Sequence, residues 1–395
     1  MEYALSEDAE AFRKSVREGL SKHLSPRVKE IDRGGEIPRD VLKQLSSMGL
    51  LGITIGEEYG GMGADMTLTT VAAEEVGRAD NTLATGVFFL LEAGWGYIFY
   101  KYGCADAKEE ILPKVTSGDY FLGIASTETT GGSDVAGERT RATRSGSHYI
   151  INGEKAYISG VNEAAKYGGG FLLLAKTRPE LGHKGMSMVY TPVTGINGIT
   201  TSLIKNMGRE GISTGIITLN DAAVPDRYLI GEENKGFYYA MEGFTRARVF
   251  VSAASIGAAQ KVLEMGIDYA NRREVFGKKL SSYQAVRFEA AEFYSRLEAV
   301  KALVYKAAWA VDQHYKNGAI SLKDMTKLVS AAKWLAPTTS FDVIKGVSTW
   351  FGAYGYSKEG PVEASFRGSF SYLMGAEGAL NVMKELIAKE IMDND

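Results

Sequence analysis

The residues from Ile124 to Gly137, Ile-Ala-Ser-Thr-Glu-Thr-Thr-Gly-Gly-Ser-Asp-Val-Ala-Gly, crowd short hydroxyl side chains around two adjacent glycines, Gly131 and Gly132. Glycine has no Cβ, so the backbone there can take φ > 0 or approach a ligand closely. Ser126, Thr127, Thr129, Thr130 and Ser133 add hydroxyls that both donate and accept. Such a loop suits a flat cofactor with polar edges better than a metal ion or a nucleic acid. Composition alone would make it an ordinary polar turn between strands. Other chemistries find little support. His23, His148, His183 and His314 are scattered without ligand spacing, which argues against a metal site or a Ser-His-Asp arrangement. No Gly-x-Gly-x-x-Gly follows a strand pattern, and Gly231 to Gly236 has Phe237 where a phosphate loop needs lysine. Cys104 is the only cysteine, and without a motif around it the expected role is a small buried hydrophobe. The difficult step of any reaction must then come from an organic cofactor.

Thr127-Glu128 followed by Gly132-Ser133-Asp134 resembles the flavin-binding signature of the acyl-CoA dehydrogenases. A second signature, Ile151-Asn152-Gly153-Glu154-Lys155-Ala156-Tyr157-Ile158-Ser159, stands at the expected distance. The chain has Thr129 where the family usually has Pro, and Tyr157 where it has Trp; tyrosine keeps a flat ring with a polar tip. The resemblance runs across nearly the whole chain. It implies FAD, contacted by Ile124, Ser126, Thr127, Gly132, Ser133, Tyr157 and Ser159. Arg273-Glu274-Val275-Phe276-Gly277, with Gln284 beyond, resembles the turn whose Arg reaches the FAD pyrophosphate across a subunit interface. A guanidinium fits that task because it offers planar, bidentate donors to phosphate oxygens. Thr349 and Gly352 stand where the family touches the adenine half, with Gly-Ala-Tyr-Gly replacing Gly-Gly-Asn-Gly.

Oxidising an acyl thioester requires a base at Cα while a hydride leaves Cβ. A carboxylate can serve when burial raises its pKa to about 6–7. Glu377-Gly378 resembles the family's catalytic Glu-Gly, with Ala376 in place of Tyr and Arg367 one residue further upstream than usual. A subset of the family carries its base just before the arginine matched by Arg248, but that position is Ala247. The resemblance implies that the Glu377 N–H and a ribityl hydroxyl stabilise the enolate-like state. It also places Ser133, Phe244, Arg248, Ala376 and Gly378 around the acyl-CoA. Ala84 to Ala93 matches the helix lining the far end of the acyl pocket, where Phe88, Phe89 and Glu92 can share one face. Two bulky rings shorten that pocket and Ala376 broadens its near end, which suits a short, branched, cyclic or aromatic acyl group. The implied protein is a homotetramer of fatty acid metabolism that passes electrons to an electron-transfer flavoprotein. A same-fold flavin oxidase or monooxygenase using oxygen stays open, as does a non-catalytic acyl-CoA-binding protein.

The elements that must position these residues change period twice. Ser6 precedes an acidic first turn, and Phe12, Val16, Leu20 and Leu24 then form an apolar stripe. Helical patterns start at Pro38, Thr67 and Leu83, with a short strand at Leu51–Ile55 before the turn Gly60-Gly61-Met62-Gly63. Between about 119 and 230, β-branched runs alternate with Gly, Asn and Asp, and Asn152-Gly153 reads as a hairpin turn. Long helices return from Gly236, at Ala253–Arg272, Ser282–Lys316 and Leu322–Val347. The expected fold is α+β and mostly α. It has an N-terminal helical domain (1–118), a middle β-sandwich or barrel (119–232) and a C-terminal four-helix bundle (233–395). With 45% hydrophobic residues, a net charge of −3 and one cysteine, the chain is an ordinary globular protein without a basic field for nucleic acid. No apolar run is long enough to span a membrane. Nothing at the N-terminus indicates secretion, so the expected location is cytoplasmic.

Overall fold

The computed structural model describes residues 5–392. Helix α1 (Glu7–His23) starts as its sequence predicts, with the Ser6 hydroxyl accepting from the Ala9 N–H at 3.2 Å and Glu7, Asp8 and Glu10 in the first turn. It buries Val16 and Leu20 against the helices that follow: α2 (Val28–Gly34), α3 (Arg39–Ser47), α4 (Met66–Ala79), α5 (Ala84–Tyr102) and α6 (Ala105–Thr116). Helix α5 is apolar on every side and almost wholly buried, so it forms the axis of this region. Two local expectations fail here. Leu51–Ile55 is a run of turns rather than a strand. The Gly52 carbonyl accepts from the N–H groups of Ile55 (3.0 Å) and Met62 (3.1 Å), which leaves it no place in a ladder. A Cβ on Gly61 would lie 2.1 Å from the Ile55 carbonyl, so the two segments close on each other through glycine. Cys104 is exposed, not buried, because it occupies the N-cap of α6, outside the helix's apolar face.

The middle of the chain forms one seven-stranded sheet curved into a half-barrel. Its strands are β1 (Phe121–Ala125), β2 (Arg141–Ser145), β3 (His148–Ser159), β4 (Gly169–Lys176), β5 (Met186–Pro192), β6 (Ile199–Ile204) and β7 (Thr214–Pro225), with α7 (Val161–Tyr167) between β3 and β4. The order is β1-β4-β2-β3-β7-β6, with β5 also on β4; β1 and β4 run parallel, and most other pairs are antiparallel. Asn152-Gly153 does not turn the hairpin. It lies inside β3 at a register shift against β7, and the chain reverses at Gly146-Ser147 instead. Glycine is needed at 153 because a Cβ would meet Thr140 Oγ1 at 2.5 Å. A second shift, between Lys155 and Ile158, throws Tyr157 outward.

Helix α8 (Gly236–Arg272) begins well before the expected Ala253, so Phe244, Ala247 and Arg248 ride on the same rigid rod as the bundle. A two-stranded hairpin, β8 (Glu274–Val275) and β9 (Lys278–Lys279), leads into α9 (Gln284–Asn317) and α10 (Leu322–Trp350). The short α11 (Ala353–Tyr356) and α12 (Glu363–Met374) precede α13 (Leu380–Met392). One core joins α1–α6, the sheet and the inner faces of α8, α9 and α10; a smaller one gathers around Trp350. No helix of the described residues is long and apolar enough to cross a membrane.

Candidate active site

The loop after β1 is built on a buried lysine. Lys155 is 0% exposed and its ammonium donates to the Ser126 carbonyl (2.9 Å), Glu128 Oε1 (3.1 Å) and Glu138 Oε2 (2.8 Å). Glu128 also accepts from the N–H groups of Arg139 (2.7 Å) and Thr140 (2.8 Å) and from the Thr140 hydroxyl (2.6 Å). Burial raises the Glu128 carboxyl, but Lys155 and these donors outweigh it and hold the group below its ordinary value. Glu138 has fewer donors, so burial wins against Lys155 and pushes it up to about 7. The Ala156 N–H donates to the Thr127 carbonyl at 2.8 Å, which ties the two signature segments together. Lys155 and Glu138 are among the residues that sequence reasoning passed over. Lys155 stood inside the quoted signature, but its partner Glu138 is set by the fold.

Around this post the named residues are placed unequally. Gly132 and Ser133 are exposed, and Ile124, Thr127 and Ser159 are half-buried. Ser126 turns its hydroxyl inward to Glu138 at 2.6 Å, so toward a ligand it offers only main chain. Tyr157 sits at φ +58° on the bulge with its ring 65% exposed. A left-handed tyrosine is uncommon, and the bulge leaves its ring open to a flat ligand. A Cβ added at Gly131 would meet nothing, so the loop leaves an open cradle edged by hydroxyls and amides. Among the described residues no group of three His, Cys, Asp or Glu could hold a metal. These features fit the flat ring of FAD.

Glu377 lies in the turn between α12 and α13 at φ +58°, closed by the Gly378 N–H on the Gly375 carbonyl at 3.1 Å. Arg248 reaches over from α8 and its Nε–H donates to the Glu377 main-chain oxygen at 2.9 Å, leaving the carboxylate itself free. Glu377 Oε2 is buried without a hydrogen-bond partner among the described residues. Burial pushes the Glu377 carboxyl up to about 7, with Arg248 and then Lys333 opposing. Lys333, fully buried on α10, donates to the Tyr372 carbonyl at 3.1 Å; burial and Arg248 push it down to about 7 against the pull of Glu377. Burial likewise lowers Arg248 to about 10. Ala247, where the other base position would be, is fully buried and faces Gly94 at the α5–α8 crossing, and its methyl cannot take a proton. Phe244, one turn before Arg248, lies 5.8 Å under its guanidinium and stacks edge-on with Trp95 at 5.1 Å.

Glu92 is fully buried on α5, with Oε1 accepting from the Leu122 N–H at 3.0 Å and Oε2 unpartnered. Burial holds its carboxyl well above the ordinary value. Phe88 shares its face and packs edge-on against Phe121 at 5.2 Å, but Phe89 turns aside to Phe250 on α8 at 6.4 Å. Ala376 is half-buried against the core. Arg273, Gln284, Thr349 and Gly352 are exposed, and Phe276, at φ +51° on the β8–β9 turn, is 93% exposed. No hydrogen bond among the described residues joins this second group to the loop at 124–159. The chain thus brings Glu377 and Arg248 together itself but leaves the hairpin group facing outward.

Comparisons with known proteins identify the family. Models of the acyl-CoA dehydrogenase N-terminal, middle and C-terminal domains match residues 6–119, 123–222 and 234–392. A probable acyl-CoA dehydrogenase of Bacillus subtilis is 30% identical over 393 residues, 99% of this chain and 100% of its own. A subunit of the caffeyl-CoA reductase–Etf complex of Acetobacterium woodii is 31% identical over 366 residues, 92% of each chain. The solved structure of a glutaryl-coenzyme A dehydrogenase with glutaryl-CoA has a TM-score of 0.90 and 29% identity, covering 99% of this chain and 96% of that one. With its three domains, its hydroxyl-edged cradle and its acid with a buried oxygen, the chain belongs to the acyl-CoA dehydrogenase family of FAD-dependent oxidoreductases acting on acyl-CoA.

Proposed function

We propose that the protein catalyses α,β-dehydrogenation of a compact acyl-CoA, with Glu377 as the base. The observation that carries this reading is the Glu377 carboxyl: unpartnered at Oε2, pushed up to about 7, and steadied through its main chain by Arg248. A base poised near working pH can take a weakly acidic Cα proton while a substantial share of it is still ionised. Bound FAD supplies the acceptor for the hydride that leaves Cβ. Main-chain groups of Ile124, Ser126 and Thr127, with Gly132, Ser133, Tyr157 and Ser159, hold and orient it. Arg248 also draws charge toward the thioester end of the site, where Phe244 and Gly378 line the approach. Among the described residues the Glu377 N–H has no main-chain partner and can face a developing enolate oxygen. Electrons would leave through an electron-transfer flavoprotein, as the complex named for the Acetobacterium relative suggests.

Substrate shape follows from α5. Phe88 and Phe89 are both buried, so side chains already fill the space toward β1 and α8. Acyl-CoA esters of about four to seven acyl carbons should therefore give kcat/KM at least tenfold above straight chains of twelve or more, roughly 1.4 kcal/mol. A panel of acyl-CoA esters with a dye acceptor measures this, and Phe88→Ala should narrow the gap. Equal turnover of long chains by the parent would refute the short pocket.

The outward hairpin group is best read as reaching a neighbour's FAD within a homotetramer, through Arg273, Phe276 and Gln284, with Thr349 and Gly352 toward the adenine half. Arg273→Ala should then weaken FAD binding by about 1.5–3 kcal/mol, the usual worth of a hydrogen bond to a charged group. FAD titration alongside sedimentation tests it. Full FAD retention by a monomeric Arg273→Ala protein would exclude the cross-subunit contact.

A further inference from the structure

Among the described residues seven non-glycine residues have φ > 0, and three of them, Tyr157, Phe276 and Glu377, are residues already placed in the site. A fourth is Arg209, at φ +53° in the loop between β6 and β7, which no motif singled out. Arginine in this conformation is strained, and residues so held cluster at functional sites. Its guanidinium, half-buried, donates to the Ser159 hydroxyl at 3.1 Å and to the Thr214 hydroxyl at 3.4 Å. Arg209 forms no ion pair among the described residues, whereas the adjacent Glu210 lies 3.8 Å from Arg367. It is therefore a cation without a protein counter-charge, joined to a residue of the flavin cradle.

The chemistry of that contact fixes a direction. Arginine only donates, so the Ser159 oxygen must accept, and its own hydrogen is left to donate elsewhere. That hydrogen finds no acceptor among the described residues and is available to the bound cofactor. We propose that Arg209 is a charge set beside the FAD, acting through Ser159, that raises the cofactor's reduction potential. The inference rests on the reading that Ser159 contacts FAD. Two-electron reduction by the substrate adds electron density to the flavin ring, and a fixed cation in a partly dry site favours the electron-rich form. Burial weakens the proton affinity of the guanidinium, with Tyr372 opposing, but an arginine stays charged across working pH.

The test is the potential of bound FAD, measured by equilibration with a reference dye in the holoenzyme. Arg209→Gln should lower the equilibrium constant for reduction at least tenfold, about 30 mV for a two-electron couple. Arg209→Lys, which keeps the charge, should recover most of that shift. Loss of FAD by the Gln variant with retention by the Lys variant also supports the charge role. A Gln variant that holds FAD at a potential within about 9 mV of the parent, a twofold change, overturns the proposal. So does loss of FAD by both variants, or a defect confined to acyl groups bearing a distal carboxylate. A parent protein unable to bind FAD would instead overturn the cradle itself.

Discussion

Glu377→Gln is expected to give a folded, yellow protein that binds acyl-CoA but reduces its flavin at least about a hundredfold more slowly, the lower range for loss of a positioned base. Glutamine keeps the size of the side chain and leaves the Arg248 bond to the main-chain oxygen intact. Stopped-flow bleaching of the flavin by substrate measures the loss. In the parent, the rate of flavin reduction should rise with pH and level off above about 7, where the carboxylate is ionised. That limb should vanish in the variant. Stability gives a second reading. The folded value of Glu377 lies above its ordinary value of 4.5, so its contribution is complete below that value and is lost as pH rises through about 7. Glutamine cannot ionise, so the variant should lose less stability than the parent between about pH 4.5 and about pH 7. Retention of more than a few per cent of the parent rate would mean that another group takes the proton. Glu92 would then be examined first, since it too has a buried Oε2 without a partner among the described residues.

Lys155→Met should be the most destabilising single change in the sheet, by about 3–5 kcal/mol, because it strands buried carboxylates without their cation. Glu128 and Glu138 are only 5% and 3% exposed, so neither can turn to solvent in place. Methionine, unbranched and flexible, fills the space of lysine's aliphatic stem, which leaves the lost charge as the main cause. FAD should be lost along with stability, since Lys155 also holds the Ser126 carbonyl in the cradle. Adding Glu138→Gln should restore part of both, as it removes one unpaired charge. Denaturant midpoints and FAD content of the two variants decide the matter. A Lys155→Met protein within about 1 kcal/mol of the parent would show that the carboxylates are neutralised by protonation alone.

Local chemistry determined much of this protein from its sequence. The Ser6 cap, the apolar stripe of α1, the helical pattern from Leu83 and the switch between helical and strand periods each depend on neighbours within a few residues, and each is present in the fold. The motifs that name the family are equally local, since glycine, hydroxyl and acid at fixed spacing are legible without coordinates. Where a local signal had a competing long-range partner, it failed. Asn152-Gly153 favours a hairpin turn, yet pairing with β7 and the close approach of Thr140 keep it inside β3. Leu51–Ile55 has the composition of a strand, but the Gly60–Gly63 loop takes its hydrogen bonds. The site divides in the same way. The type of Glu377 was readable, but its raised proton affinity was not, because burial is made by α8, α10 and α12 folding around it. Lys155 has a charge in the sequence and a function only when Glu128 and Glu138 close on it. Arg209 carried no motif at all: its meaning comes from Ser159, fifty residues away, and from the absence of a counter-charge among the described residues. Sequence sets which groups can react; desolvation and long-range pairing, which only the folded chain provides, decide their charge state and their direction.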